Sequence, residues 1–448
     1  MTMTRKLLSL ALAAVMLLCA IPAFAEETDP WAGIDMGGAT ITIAYNWDYV
    51  PATSDYEYNP ETDGAGVLTD LEAMKYVEEK YNCRVQRINL PWDQRIERIT
   101  TSVMTGEPVA DLILLDLQQI LPLAAQGLLL PLNDFVPETA DVFTEGDTLI
   151  SGGKLLGKDY ALLQSTAATT GYFLGVNLEL IDDLGLENPA ELYAKGEWTW
   201  DKLEEICRAA TRDTDGDGQN DVFGLSGAPY EVAFQLIAAN DGYMASAENR
   251  RQGLDDPRTM EALNFFNKLY TEEKVAYIAN NDIDDWNGNR FGYTEGKSAL
   301  FLCQDWLLGT APSFEFTIVP FPVGPANTSG KTFSTVVNGA CIPKSCANPL
   351  WAYIVYEELT GYTTHEERSE GTIEWLGTMY LTEEDVMMSV EICGTQAAYE
   401  DCSGFANFPN YDLIKSILVD GNTPAQAVEQ YKQVAQDCID EFFRSLEE

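Results

Sequence analysis

Two interleaved α/β units, each built on a largely parallel sheet, are predicted for this chain, and three observations carry the prediction. At 448 residues the sequence is roughly three times the length one domain typically uses. Strand-like and helix-like segments alternate from residue 39 onward. The alternation then restarts after a glycine-rich turn at Gly152–Gly157. With no internal repeat, two units sharing intertwined connections fit better than beads on a string.

The elements follow in order. Ala39–Ala44 is short and β-branched, a strand, and Leu68–Asn82 carries Leu71, Met74, Val77 and Tyr81 at helical spacing. Arg84–Leu90 reads as a strand, Asp93–Met104 as a helix, and the apolar run Ala110–Leu115 as a buried strand. A helix over Gln118–Gly127 stops at its glycine. Strand–helix–strand succession requires crossovers, hence parallel pairing. Beyond the turn, Tyr160–Leu163 and Thr170–Val176 are strands, and Trp200–Ala210, Pro229–Asn240 and Pro257–Glu273 are helices. Ser298–Leu302 and Phe316–Val319 are strands, and Pro349–Leu359 and Pro424–Leu446 are helices. Thr199 is expected to cap the helix beginning at Trp200, which assigns Trp198 and Trp200 to packing, and Trp351 joins them because it shares a helix with Ile354, Val355 and Leu359 at core spacing.

Composition narrows the function. Hydrophobic residues make up 46%, enough for real cores, while 71 acids against 27 bases give a net charge of −44. Nucleic acid and anionic lipid both demand a cationic footprint, so neither partner is expected. A single histidine, His365, leaves no two-histidine metal site. Met1–Ala25 reads as an export signal: Arg5 and Lys6 form the basic head, Leu7–Ile21 the apolar run, and Ala23-Phe24-Ala25 the cleavage site. That run is shorter than the about 20 residues a membrane span needs, so the mature protein is expected to be exported and soluble. Eight cysteines remain after cleavage, with Cys341/Cys346 and Cys393/Cys402 the easiest pairs to close; the competing expectation is that several are small buried hydrophobes.

An ordered series of segments resembles the family 1 extracellular solute-binding proteins of ABC importers, the maltose-binding-protein-like group. The segments are Glu79–Val85, Gly106–Ile113, Leu123–Leu132, the GEWTWDKL stretch Gly196–Leu203, Phe291–Phe301 with Trp306, Val319–Pro325, Asn338–Pro343 and Asn348-Pro349. The series spans roughly Thr40 to Leu359. The resemblance implies a two-lobed, type II periplasmic-binding-protein-like α/β fold with hinge-linked lobes. One lobe would hold 38–160 and 322–367, the other 161–321 and 368–448. It further implies a non-enzymatic, monomeric receptor that closes on a carbohydrate between its lobes and hands it to membrane permease subunits.

A sugar presents an apolar C–H face and a rim of hydroxyls, so aromatic platforms and Asp, Asn or Gln side chains are the candidate contacts. Trp306, after the strand Ser298–Leu302, matches the family's stacking tryptophan. Trp47 and Asp48 follow the first strand, and Asp116, Gln118 and Gln119 follow Ala110–Leu115, both at strand C-termini where α/β clefts open. Trp92, Trp286 and Trp375 complete the aromatic set, and Tyr172 is expected to compensate for Val176, which stands where the family often has tyrosine.

Asp213–Gly224 (DTDGDGQNDVFG) is the sharpest single motif. Asp213, Asp215, Asp217 and Asp221 occupy positions 1, 3, 5 and 9 of an EF-hand-like loop, with Gln219 at position 7 offering its carbonyl. Gly224 replaces the bidentate glutamate, so a structural Ca2+ would need a further oxygen from elsewhere. Two alternatives remain: within binding, a receptor for a peptide, polyol or other small polar solute, and in another class an exported glycosidase using two carboxylates.

Overall fold

The computed structural model describes residues 29–144, 149–164, 171–310, 312–335, 338–395, 397–399 and 401–446. The export signal expected over 1–25 lies outside them. No helix among the described residues is long and apolar enough to cross a membrane.

The first sheet contains β1 (Ala39–Tyr45), β2 (Cys83–Asn89), β3 (Leu112–Asp116), β4 (Leu149–Gly152) and β5 (Ala161–Gln164). The sixth strand returns from far along the chain: β13 (Asn338–Cys341), giving the order β2-β1-β3-β13-β5-β4. β1 pairs in parallel with both β2 and β3, as the intervening helices demand. β13 runs antiparallel to β3, with Asn338 opposite Asp116. The helix Ala65–Tyr81 ends at Asn82 in the left-handed region (φ 49°) and lays Met74, Val77 and Tyr81 over Ile41, Ile43 and Val85. From the far end of the sequence the helix Pro349–Gly361 adds Tyr353, Ile354 and Val355 to the same core.

The second sheet is built from β6 (Phe173–Asn177), β7 (Phe223–Ser226), β10 (Ser298–Cys303) and β11 (Phe316–Val319), in the order β11-β6-β10-β7. Between β7 and β10 lies the two-stranded ribbon of β8 (Ala245–Ser246) and β9 (Arg251–Gln252). β10 is parallel to β7 but antiparallel to β6. One face of the sheet carries Leu203, Ile206, Val232 and Phe266 from covering helices; Phe173, Phe301, Phe316 and Ile318 pack on the other with Leu376 and Ile392. Those last two come from the helices His365–Gly377 and Glu383–Thr395.

The chain passes between the units three times: from β5 to β6, from β11 to β13, and from Pro349–Gly361 to His365–Gly377. Two implied boundaries shift. Ala161–Gln164 pairs with β4 and β13, so the first unit claims the chain through residue 164 and not 160. The stretch 324–335, assigned by resemblance to the first unit, is held by the second. The Asp241 carboxylate accepts from Thr328 N (2.6 Å), Thr328 Oγ1 (2.8 Å) and Ser329 N (3.1 Å), and Ser334 N donates to Gln235 Oε1 (2.7 Å). β12 (Phe333–Thr335) then pairs with β14 (Ala397–Tyr399), an element of the C-terminal segment. The first unit touches that segment too: Gly404 lies so close to Leu121 that an added Cβ would sit 2.4 Å from its Cδ1.

The described cysteines form no disulfide, and every one except Cys438 is buried. The pairings Cys341/Cys346 and Cys393/Cys402 are therefore absent. Cys346 Sγ instead donates to Asp111 Oδ1 (3.5 Å), and Cys393 Sγ to Asp305 Oδ2 (3.7 Å).

Candidate functional site at two sheet edges

Parallel strands bring their C-terminal ends to one edge, and the first sheet uses that edge for chemistry. β1 delivers Tyr45 and then Trp47, Asp48 and Tyr49; β2 delivers Asn89 and then Trp92; β3 delivers Asp116, Gln118 and Gln119. β13 enters the sheet there, so the connection from the second unit arrives at this edge. Asp116 stands at the N-terminus of the helix Leu117–Ala125 without capping it. Its Oδ2 accepts the Trp92 indole N–H at 2.6 Å, with Gln118 Nε2 at 3.4 Å. Gln119 Nε2 donates to Trp92 O (3.1 Å), and Arg95 Nη1 donates to Gln119 Oε1 (3.4 Å). Burial lowers the Arg95 pKa against the opposing pull of Asp116. Despite this bracing the Trp92 side chain is 46% exposed: it is fixed in orientation and open to a partner. Beside it, Trp47 stacks with Tyr49 (6.1 Å between centroids) and tilts on Tyr45 (5.2 Å). Arg87 lies 4.2 Å from the Tyr49 ring centroid and is paired with Asp70 at 3.1 Å. Asp48 Oδ1 accepts from Asn89 Nδ2 (3.1 Å).

The second sheet meets the crossings at the edge formed by the C-terminal ends of β7 and β10, where β6 begins and β11 ends. Tyr172 precedes β6, and Tyr230 and Glu231 open the helix Pro229–Ala238 after β7. Tyr172 OH donates to Glu231 Oε1 at 3.2 Å, and the Trp286 side chain also bonds to this carboxylate. The Arg290 guanidinium lies over the Trp286 ring, 3.3 Å from its centroid. Tyr230 and Tyr411 pack at 4.4 Å with an interplanar angle of 34°. Burial raises the Glu231 pKa from the ordinary carboxylate value; Arg290 and the bonds from Tyr172 and Trp286 pull it part of the way back.

Sharing one fold, a chain of this kind is recognised over most of its length. Residues 58–353 match the family described as bacterial extracellular solute-binding protein. The chain belongs to that family.

Solved structures extend the match to the architecture of this solute-binding protein. UspC of Mycobacterium tuberculosis superposes with a TM-score of 0.62 at 15% identity, covering 89% of this chain and 100% of that one. An ABC substrate-binding protein of Listeria monocytogenes in complex with cycloalternan gives 0.61 at 16%, covering 91% and 99%. The GacH receptor of Streptomyces glaucescens, solved unliganded and with acarbose, gives 0.59 at 16%, covering 92% and 99%. A comparison with curated proteins gives no match. The type II periplasmic-binding-protein-like fold is thus the fold of this solute-binding protein.

The structure gathers the predicted residues into two groups, one at each sheet's edge: Trp92, Asp116, Gln118 and Gln119, with Trp47 and Asp48 following the neighbouring strand, and Tyr172 with Trp286 on the second sheet. Trp375 presents a half-exposed ring on His365–Gly377 and shares no hydrogen bond or ring contact with either group among the described residues. Trp306 lies in the 3-10 turn Asp305–Thr310 directly after β10; its side chain lies outside the described residues. Trp198 and Trp200 are buried, and their indole N–H groups donate to Pro320 O (2.9 Å) and Pro322 O (3.0 Å). Sequence reasoning missed Tyr230, Glu231, Arg290 and Tyr411. Pro229 followed by an aromatic and an acid reads as an ordinary helix start, and only the fold brings Arg290 and Tyr411 to it.

In the acidic loop, Asp213, Asp215 and Asp221 bring carboxylate oxygens within 4.8 Å of one another; Asp217 stands outside that group. Gly218 N (2.8 Å) and Gly216 N (2.6 Å) donate to the Asp213 carboxylate, holding its pKa below the ordinary value. Asp221 is lowered likewise by the Thr214 hydroxyl (2.6 Å) and N–H (2.7 Å). Asp217 Oδ1 accepts from Gln219 N at 2.7 Å.

Proposed function

We propose that this solute-binding protein is the exported receptor of an ABC importer and captures a neutral oligosaccharide between its two sheet edges. One observation carries the reading: each edge pairs exposed or half-exposed aromatic rings with a carboxylate already oriented by a tryptophan N–H, Trp92 with Asp116 and Trp286 with Glu231. Rings cover the C–H face of a sugar, and oriented acceptors take its hydroxyls. Trp306 and Trp375 are proposed to extend the platform. The relatives solved with cycloalternan and acarbose favour a glycan over a peptide or polyol. Ligand touching both edges only when they approach shifts the population towards the closed form, which the permease subunits then read. Nothing in this cycle breaks a bond in the sugar, and a monomer suffices for it.

The loop Asp213–Gly224 is proposed to hold a structural Ca2+. Asp213, Asp215 and Asp221 supply an all-oxygen donor set, and Asp217 and the Gln219 carbonyl lie on the same loop. The bridge between Arg212 and Val222 closes the loop just ahead of β7, so the ion would stiffen the approach to that strand.

Thermal-shift and X-ray scattering titrations against a panel of neutral oligosaccharides test both proposals. The matching glycan is expected to stabilise the protein by about 2.7 kcal/mol at a hundredfold excess over Kd, and to reduce the radius of gyration. EDTA is expected to lower the melting temperature, and Ca2+ to restore it. Scattering unchanged by every glycan, or release of reducing sugar, overturns the receptor reading; a melting curve indifferent to EDTA and Ca2+ overturns the calcium site.

A further inference from the structure

Arg87 stands where the strand pattern calls for an apolar residue. β2 turns Cys83, Val85 and Arg87 inward and Arg84 and Gln86 outward, and Arg87 is 6% exposed. A buried guanidinium is costly unless its charge and donors are met. Asp70, on the helix Ala65–Tyr81, meets the charge: Nη1 donates to its Oδ2 (3.1 Å) and Nη2 to its Oδ1 (3.4 Å). Nη1 also donates to Pro51 O (3.4 Å), and the guanidinium carbon lies 4.2 Å from the Tyr49 ring centroid. The Arg87 backbone N–H completes the grip by donating to Ala52 O (2.8 Å). One residue thus holds the segment 49–52 through a ring and two carbonyls.

The neighbouring residues depend on that grip. Residues 46–50, between the end of β1 and the bond at Ala52, make no backbone–backbone hydrogen bond among the described residues, so no ladder sets their course. They carry an exposed aromatic platform. Trp47 is 47% exposed and packs on Tyr49 (6.1 Å between centroids) and Tyr45 (5.2 Å), which meet each other at 4.5 Å. Asp48 is tied to Asn89 (3.1 Å), a bond between exposed groups; the buried attachment is Arg87. We propose that Arg87 is the positioning residue of this platform, fixing the Tyr49 ring and the turn around Trp47 before ligand arrives and so raising affinity without touching the ligand. This rests on the carbohydrate reading above and deepens it.

Rings already held in one arrangement lose little freedom on binding, whereas loose rings must be immobilised at the expense of affinity. Lysine at position 87 keeps the positive charge and can pair with Asp70. Its compact ammonium has neither a flat face for Tyr49 nor the forked donors that reach Asp70 and Pro51 together. Arg87→Lys is therefore expected to leave the fold intact and to weaken binding of the best neutral oligosaccharide about tenfold. The loss passes through Trp47, so it should disappear in a protein that already lacks that ring.

The experiment is a cycle of four full-length proteins: wild type, Arg87→Lys, Trp47→Ala and the double variant. Each is titrated with neutral gluco-, galacto-, manno- and xylo-oligosaccharides, and its near-ultraviolet circular dichroism is recorded without ligand. Trp47→Ala is expected to weaken the best glycan about tenfold, and adding Arg87→Lys to it should change Kd by less than about twofold. The dichroism that Trp47 contributes, wild type minus Trp47→Ala, should collapse in the pair that carries Arg87→Lys, because it arises from the fixed arrangement of the rings. If Arg87→Lys does not fold, Asp70→Asn takes its place in the cycle, loosening the guanidinium while leaving all three rings in the chain. Multiplicative losses in the double variant overturn the positioning role, as does an Arg87→Lys protein with unchanged Kd and unchanged ring dichroism. Wild-type affinity in Trp47→Ala overturns it too, by removing the platform from the site. Binding of no glycan by the wild type overturns the carbohydrate reading instead, and the dichroism then still decides whether Arg87 fixes the rings.

Discussion

Trp92→Ala is expected to weaken binding of the best glycan about thirtyfold. A sugar face covering about 80 Å² of the exposed indole contributes about 2 kcal/mol at about 25 cal/mol per Å², which converts to that factor in Kd. The variant removes a second feature as well, because the indole N–H holds Asp116 at 2.6 Å. Asp116 is buried, and its Oδ1 already lacks a hydrogen-bond partner among the described residues. Losing the short indole bond leaves Oδ2 with only the long contact from Gln118 Nε2 (3.4 Å), which costs about 1–3 kcal/mol of folding stability, independently of ligand. Trp92→Phe separates the two effects: it keeps an aromatic face and loses the donor. It should share most of the stability loss of Trp92→Ala while retaining most of the affinity. Calorimetric titration and urea unfolding on both variants check the prediction, and an unchanged Kd for Trp92→Ala removes Trp92 from the site.

The two halves of that site were legible to different degrees. The edge carrying Trp92 and Asp116 can be read from sequence because each residue stands at or shortly after the end of a recognisable strand, and parallel strands end together. What the pattern could not convey is that Asp116 serves Trp92 and not the helix it begins. The second sheet's edge was half visible. Tyr172 and Trp286 stand out as residues, but Glu231 meets Tyr172 across a separation of 59 residues, and Tyr411 reaches Tyr230 from the C-terminal segment, neither of which a local period encodes. The helices His365–Gly377 and Glu383–Thr395 were missed as well. The first carries a capping box, with Thr364 and Glu367 bonded reciprocally, a signal present in the sequence. The sheet was read correctly where helices separate its strands. Its boundary was misplaced at β5, since β13 arrives from beyond residue 330 to pair with it and draws Ala161–Gln164 into the first unit.

Phe301→Ala is expected to cost about 3–5 kcal/mol of stability, with little direct loss of ligand contact. Phe301 is 1% exposed and sits on β10 opposite Gly175 of β6. Its ring occupies the space a side chain at 175 would fill: a Cβ built there would lie 2.2 Å from Phe301 Cε2 and Cζ. Ring and glycine thus form a single packing unit across the antiparallel pair, and removing the ring opens a cavity at the centre of the second sheet that Gly175 cannot fill. The edge contacts with Phe314 (5.9 Å, 89°) and Tyr293 (6.0 Å, 57°) are lost with it. Gly175→Ala tests the same unit from the other side. It should destabilise by clash, by about 1–3 kcal/mol, because the obstructing atoms belong to a rigid ring. Combining Gly175→Ala with Phe301→Ala should then cost less than the sum of the two, since the added methyl enters space the ring has left. Urea midpoints for the two single variants and the double variant decide the matter: strict additivity would show that Phe301 and Gly175 do not share one cavity. The same unit bears on function, because β6 and β10 start and end at the edge that holds Tyr172 and the turn Asp305–Thr310. Loosening the pair should therefore weaken glycan binding only to the extent that it unfolds this sheet, a dependence visible as affinity recovering on cooling towards the temperature of maximum stability.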